Sequence, residues 1–467
     1  MLSVHTVNAR FVRITVVVVL DILISNADLL LTLSEHGILR NASIVVEENE
    51  IIDFGKNYEI ERKYGRNFDY VIDAKGMIVV PGFIQTHVHL VQTIFRGLAD
   101  DLSLLDWLGK RILPMEARIS AEGVYYSSLL ACIELLMSGT TTIVDFGSVR
   151  HQEKVFEAIR DSGIRAFSGK VIMDMGDSSV PKELIEDYRE ALSSSVNLLK
   201  RWNGFEERIW YAFSPRFALS CSEECLRETA YVAREHNALI QTHASENRDE
   251  VRLVRKITGM NNVEYLHKVG LTGRDVILAH CIWINDYEME ILHRTGTNVV
   301  HCPSANMKLG SGIARVPEML EKGINVTIGA DGAPCNNNLD VFVEMRHASL
   351  IQKARLTDPR VLPAREVIRM ATVNGAKALG ISDIGSIRRG SKADLVLISL
   401  RDINVTPFTS LHDPYSTIVY SAKASNVKYT IVDGRIAVAE GRPTIDLRDL
   451  VERVRDIAFK FAEKIVN

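Results

Sequence analysis

Cysteine is scarce and wrongly spaced for a covalent framework: Cys132, Cys221, Cys225, Cys281, Cys302 and Cys335 include no C-x-x-C pair. That excludes a zinc ribbon and a thioredoxin-like motif, and it points to free thiols in a reducing compartment, buried as small hydrophobes. Excess positive charge is lacking too. With 55 Lys and Arg against 59 Asp and Glu, net −4, the chain carries no basic footprint for nucleic acid, so a small molecule is the expected partner. No apolar run approaches the ~20 residues of a membrane span. The nearest, residues 11–20, is Val-rich and flanked by Arg10, faintly like a signal-peptide core. Asp21 interrupts it and no small-residue cleavage site follows, so residues 1–20 read as a β-prone N-terminal extension of a cytoplasmic protein.

What is present is a change of style along 467 residues, enough for one large barrel and a smaller domain. Residues 21–76 read as short strands (22–24, 29–33, 43–46, 51–54 and 70–72) separated or bounded by Asn26, Asn41, Gly55 and Gly76, with no segment periodic enough for a helix. From residue 77 to 390, apolar strand-like runs alternate with helix-like stretches eight times. The strands fall at 78–86, 140–145, 165–169, 209–213, 239–242, 276–279, 298–301 and 325–330. Eight β-then-α units argue for a (β/α)8 barrel over an open doubly wound sheet. Residues 391–445 revert to strands, with a hairpin at Asp433-Gly434, and 446–467 carry helical periodicity. Two β-rich flanks around one barrel suggest that the chain ends pair into a small β-sandwich.

Four histidines sit where a metal site would need them. His87 and His89 close P-G-F-I-Q-T-H-V-H, His243 closes L-I-Q-T-H, His280 closes V-I-L-A-H, and Asp331 closes V-T-I-G-A-D. Each follows an apolar run, so each belongs at the C-terminal tip of a strand, where only a closed sheet brings such tips together. Side chains alternate along a strand, so His87 and His89 point to one side as a clamp. His243 is the third imidazole ligand and Asp331 completes the shell; Asp331 also reads as a helix N-cap or turn residue before Gly332. Glu246, in H-A-S-E-N, is placed to move a proton at the open coordination position, or is a solvated loop glutamate. His280 is either a further ligand or a hydrogen-bonding group, and His301 lines the site.

These motifs, together with L-A-H-C, H-C-P-S-A-N and G-A-D-G-A-P-C-N-N-N, resemble the amidohydrolase superfamily, within it the mononuclear metal-dependent deaminases and chlorohydrolases. No lysine reads as a carbamylated bridge at a strand tip, which favours the one-metal subtype. The resemblance implies a distorted barrel with a β-sandwich built from both chain ends. F-R-G-L-A-D-D-L-S-L-L-D-W-L, Asn336-Asn337 and E-M-R-H-A-S-L are similar to the deaminases of 5′-substituted adenosines. By that resemblance Trp107 walls a nucleoside pocket and Glu116 binds ribose hydroxyls; from the residues alone Trp107 is equally a core packer and Glu116 a solvated helix residue after Pro114. One departure stands out. The loop after the fourth strand is S-P-R-F, and with Gln92 three residues after H-x-H it is similar to guanine deaminases. Arg216 would then donate to a purine carbonyl, Phe217 stack on the ring and Gln92 read an edge.

The expected activity is hydrolytic deamination of a purine nucleoside by one divalent ion, first zinc, with iron or manganese also suited to the ligand set. Glu246, His280 and Asp331 are the expected catalytic groups, and a homo-oligomer is the expected assembly. Three rivals stay open: guanine deamination, hydrolysis of an s-triazine, and a metal-binding barrel without catalysis.

Overall fold

The computed structural model describes residues 6–8, 13–15, 20–65 and 67–466. Eight strands of the larger sheet run parallel, in the chain order Phe83–His89, Thr140–Asp145, Arg165–Ser168, Ile209–Pro215, Leu239–Ala244, Val276–His280, Asn298–His301 and a final strand in two pieces, Val326–Ile328 and Asp331–Gly332. The first piece pairs with the seventh strand, Val299 opposite Val326. The second pairs with the first strand, Asp331 opposite Val88 and Gly332 opposite His89. The barrel therefore closes through this broken strand, and closure itself delivers Asp331 to the H-x-H pair. Gly332 permits the approach: a Cβ there would fall 2.2 Å from Gln92 Oε1.

Local sequence explains the surrounding helices. Ser120 caps Ala121–Met137 by accepting from Gly123 N, and Ser222 caps Glu223–Glu235 by accepting from Cys225 N. Asn247 and Glu250 form a capping box that starts Arg248–Thr258. The C-terminal helix Leu447–Val466 packs on Ala121–Met137. Among the described residues no single helix is long and apolar enough to cross a membrane.

Both chain ends contribute to a second sheet of nine strands, in which Met77–Pro81 lies between Leu395–Ser399 and Ile22–Leu31. Its apolar cluster draws on both ends, with Ile24, Ile44 and Val79 beside Leu395 and Ile431. Asp433 and Gly434 take φ of 52° and 72°, as a type I′ hairpin turn requires.

Three local expectations are corrected. The run 78–86 is two strands in two sheets, broken at Gly82, whose N–H donates to the Asp394 carbonyl. The runs 22–24 and 29–33 belong to one strand, Ile22–Leu31, whose register shifts near Asn26, at φ 58°. A helix, Asn57–Tyr64, occurs where none was expected; Ile60 is its buried anchor, too little apolar surface to show as periodicity. Lys170 does stand just past the third strand, but its ammonium pairs with Glu186 at 2.6 Å and with the Val149 carbonyl. Of the expected extension, Thr6–Asn8 and Arg13–Thr15 pair antiparallel and the remainder lies outside the described residues.

One buried ionic group ties the sheets together. Arg165, at the start of the third barrel strand, donates to both oxygens of Asp394 at 3.0 Å and to Asp433 at 3.0 Å, with all three side chains 2–6% exposed. Replacing the arginine would strand two buried carboxylates, which costs about 3–5 kcal/mol. Arg165→Met is expected to lower the thermal unfolding temperature of the barrel by several degrees, read by circular dichroism; an unchanged transition would show that the triad does not hold the sheets.

Candidate active site

Five side chains from four strands meet at the C-terminal mouth of the barrel. His89 Nε2 lies 3.3 Å from His243 Nε2 and 3.4 Å from Asp331 Oδ1. His87 Nε2 is 3.6 Å from Asp331 Oδ1, and His280 Nε2 is 3.8 Å from Asp331 Oδ2. Two donors each about 2.1 Å from a tetrahedral zinc ion stand about 3.4 Å apart, so these spacings suit one shared cation. The chemistry agrees. His87 Nε2 and His280 Nε2 are buried with no hydrogen-bond partner, a costly arrangement unless something accepts their lone pairs.

The tautomers point the same way. His243 Nδ1 donates to the Arg216 carbonyl at 2.8 Å, and His280 Nδ1 to Asn306 Oδ1 at 2.9 Å, leaving both Nε2 lone pairs facing inward. Burial and then the neighbouring imidazoles hold His89 and His243 well below the usual histidine range, so both are neutral donors at physiological pH. Burial opposes ionisation of Asp331, but the His87, His89 and His280 rings facing it outweigh burial and hold the carboxyl far below its usual range.

Glu246 completes the ring in the opposite protonation state. Its Oε2 is 3.5 Å from His280 Nε2. Burial first, then the charges of Asp331 and Glu250, push its carboxyl well above the usual range, which favours the protonated form. Two carboxyl groups in one pocket, one held ionised and one held protonated, form an acid and base pair.

The backbone is bent to make this possible. Ser245, His280, Cys281 and Asp331 take φ of 53°, 73°, 46° and 64°. Left-handed non-glycine residues cost about 1–3 kcal/mol each and gather where a site over-determines them.

The pocket above the cluster is lined by Gln92, Leu104, Trp107, Leu108, Arg216 and Phe217. Trp107 is 5% exposed, and its Nε1–H has no hydrogen-bond partner. Gln92 Oε1 is likewise unpartnered, while its amide nitrogen donates to Glu116 at 2.8 Å. Glu116 does not line the pocket. It is buried behind it, accepting from Arg216 Nη1 at 2.7 Å and Nη2 at 3.4 Å. His301 is buried at the tip of the seventh strand, outside this lining.

Several supporting residues escaped the sequence reading. Phe146 packs its ring 4.3 Å from that of His243 and 5.0 Å from that of His89, walling the cluster with hydrocarbon. Asp145 takes Leu90 N at 3.0 Å and Ser168 Oγ at 2.6 Å, fixing the chain just after H-x-H; burial pushes it up to about 6. Glu250 accepts from the backbone of Ser245, Glu246 and Asn247. Its place three residues after Asn247 was a legible capping signal; Asn306 carried none.

Removing Asn306 frees the His280 ring. Loss of such an outer contact costs about 10- to 100-fold in metal affinity or activity. Asn306→Ala is therefore expected to lower turnover by that factor, with metal content and the circular dichroism spectrum unchanged; undiminished turnover would show that the amide does not orient the ring.

The model of the amidohydrolase family matches residues 78–437. The chain is 40% identical, over 90% of its length and 94% of the relative's, to the 5′-deoxyadenosine deaminase of Methanothermobacter thermautotrophicus. It is 36% identical, over 96% of its length and 99% of the relative's, to the 5-methylthioadenosine/S-adenosylhomocysteine deaminase of Pelotomaculum thermopropionicum. Among solved structures it is similar to an adenosine deaminase from Xanthomonas campestris with bound zinc, with a TM-score of 0.87 and 27% identity over 95% of this chain and 99% of that one. A strand-tip cluster of imidazoles and a carboxylate in a closed barrel, matched over most of its length by this family, places the conclusion beyond fold alone: the chain belongs to the amidohydrolase family.

Proposed function

We propose that this chain is a hydrolase that removes the amino group of a 5′-substituted adenosine, 5′-deoxyadenosine, 5′-methylthioadenosine or S-adenosylhomocysteine, as ammonia. The observation that carries the chemistry is the meeting of His87, His89, His243, His280 and Asp331 at the barrel mouth, with the Glu246 carboxyl 3.5 Å from His280 Nε2. The substrate class is supported by the two relatives with that activity in their names.

His87, His89, His243 and Asp331 would hold one divalent cation, with zinc first because three imidazole nitrogens and one carboxylate suit it. When bound, the cation acts as a Lewis acid and lowers the pKa of water toward neutrality. Asp331 takes a proton from the attacking water. Glu246 gives its proton to the purine ring nitrogen beside the amino-bearing carbon, which makes that carbon electrophilic. His280, whose Nδ1 donates to Asn306, presents its Nε2 lone pair to the water and orients it. The proton on Asp331 passes to the amino group, the hydroxyl proton of the adduct returns to Glu246, ammonia leaves, and the products are the 6-oxopurine nucleoside and ammonia.

Around the purine, Trp107 offers a face and a free indole N–H, Phe217 a ring, and Gln92 a free carbonyl. Glu116 reaches a ribose diol only by exchanging its bond to Arg216, so in this structure it serves the arginine. That same Arg216, lining the pocket beside Phe217 and Gln92, is what favours a second reading, guanine deamination. All six thiols are free and buried, which supports a reducing, cytoplasmic setting.

General acid–base catalysis is worth about 10²–10⁴ in rate. Glu246→Gln is expected to lose that much turnover while keeping its metal, measured by ammonia release and elemental analysis. The wild-type panel of adenosine, 5′-deoxyadenosine, methylthioadenosine, S-adenosylhomocysteine, guanine and a chlorotriazine separates the readings. Preference for guanine overturns the nucleoside assignment, and no turnover by the metal-loaded protein overturns catalysis.

A further inference from the structure

Asp174, Cys221 and Cys225 form a second gathering of ligating side chains, sharing no residue with the imidazole cluster. One carboxylate oxygen and the two Sγ atoms lie within 4.8 Å of one another. Asp174 follows the short strand Val171–Ile172, Cys221 ends the loop that begins with Arg216 and Phe217, and Cys225 lies in the first turn of Glu223–Glu235. Residues 221 and 225 lie on either side of the N-cap, and the turn brings their sulfurs together. Both cysteines are buried, at 2% and 0% exposure, whereas Asp174 is partly exposed and gives solvent access.

The carboxylate is held as a ligand would be. Ser222 N donates to Asp174 Oδ1 at 2.8 Å and Ser222 Oγ to Oδ2 at 2.5 Å. Each oxygen keeps a further lone pair, and outer hydrogen bonds of this kind orient metal-binding carboxylates. The Ile172 carbonyl, 3.2 Å from Cys221 Sγ, or a water molecule is available as a fourth donor. Two soft sulfurs with one oxygen suit a thiophilic cation rather than magnesium or calcium. The thiols would release their protons on binding, and two thiolates with one carboxylate more than balance a double positive charge.

We propose that Asp174, Cys221 and Cys225 form a second metal site, for a thiophilic divalent cation of the zinc and cadmium class, that fastens the substrate-facing loop to the end of the third barrel strand. The link to the pocket is direct. Asp174 N and Met175 N both donate to the Ser220 carbonyl at 3.1 Å, Arg216 N donates to the Ile172 carbonyl at 3.1 Å, and Met173 Sδ lies 3.9 Å from Arg216 Nη1. Occupancy would thus hold the Arg216 and Phe217 wall in place. The assignment does not depend on the deaminase reading.

The test is titration of the whole, reduced protein with Cd²⁺, following ultraviolet thiolate-to-cadmium charge transfer and the bound stoichiometry by equilibrium dialysis. Wild type is expected to show the band and to bind one equivalent more than Cys221→Ser/Cys225→Ser, which should lack the band. His87→Ala/His89→Ala should keep it, so failure of the catalytic centre and failure of this site are distinguishable. Should the double serine variant not fold, Asp174→Asn, which keeps both thiols, is expected to weaken Cd²⁺ binding at least about 10-fold. The proposal is overturned by a wild type without the band, by a band that survives loss of both sulfurs, or by full affinity in Asp174→Asn. A Cys221–Cys225 disulfide in the protein as isolated without reductant, found by thiol counting, would overturn it in favour of a redox pair.

Discussion

Packing four imidazoles and a carboxylate into one buried pocket is unfavourable by itself. Each group loses water, and the inward nitrogens have only one another and Asp331 to face. The arrangement makes physical sense around a shared positive charge, toward which the Nε2 lone pairs of His243 and His280 and the Asp331 carboxylate are turned. The remaining features of the mouth follow from that requirement. The Arg216 carbonyl and Asn306 fix tautomers from behind, Phe146 excludes water from one side, and left-handed backbone at His280 and Asp331 turns both residues inward.

Closure of the barrel is the means by which these donors meet. The eighth strand breaks between Ile328 and Asp331, so its first part follows the seventh strand and its second part joins the first. The composite sheet then braces the opposite end of the barrel, where Arg165 reaches across to Asp394 and Asp433.

The imidazole cluster was legible because strand-tip ligands follow recognisable apolar runs, and H-x-H obeys the two-residue period of a strand. The eight β/α units were legible for the same reason: buried parallel strands read as continuous Val- and Ile-rich segments. Other features had no such signal. Asn57–Tyr64 buries too little apolar surface to show a helical stripe, and the division of 78–86 between two sheets depends on Gly82 meeting Asp394, more than 300 residues away in the chain. Glu116 read as a ribose-binding residue, but its bond to Arg216 joins positions 100 apart. Cys221 and Cys225 read as unrelated thiols; a capped helix turn and a loop from the preceding strand unite them with Asp174.

The amino-acid order by itself determined the kinds of element, the strand-tip positions of the donors and the chemistry those donors can perform. These depend on local periodicity and on the identity of single side chains. Tertiary structure alone decided which lone pairs face inward, which of two carboxyl groups keeps its proton, and which charge partner Glu116 takes. Those outcomes are set by distances between residues remote in the chain and by burial, and neither exists until the barrel has closed.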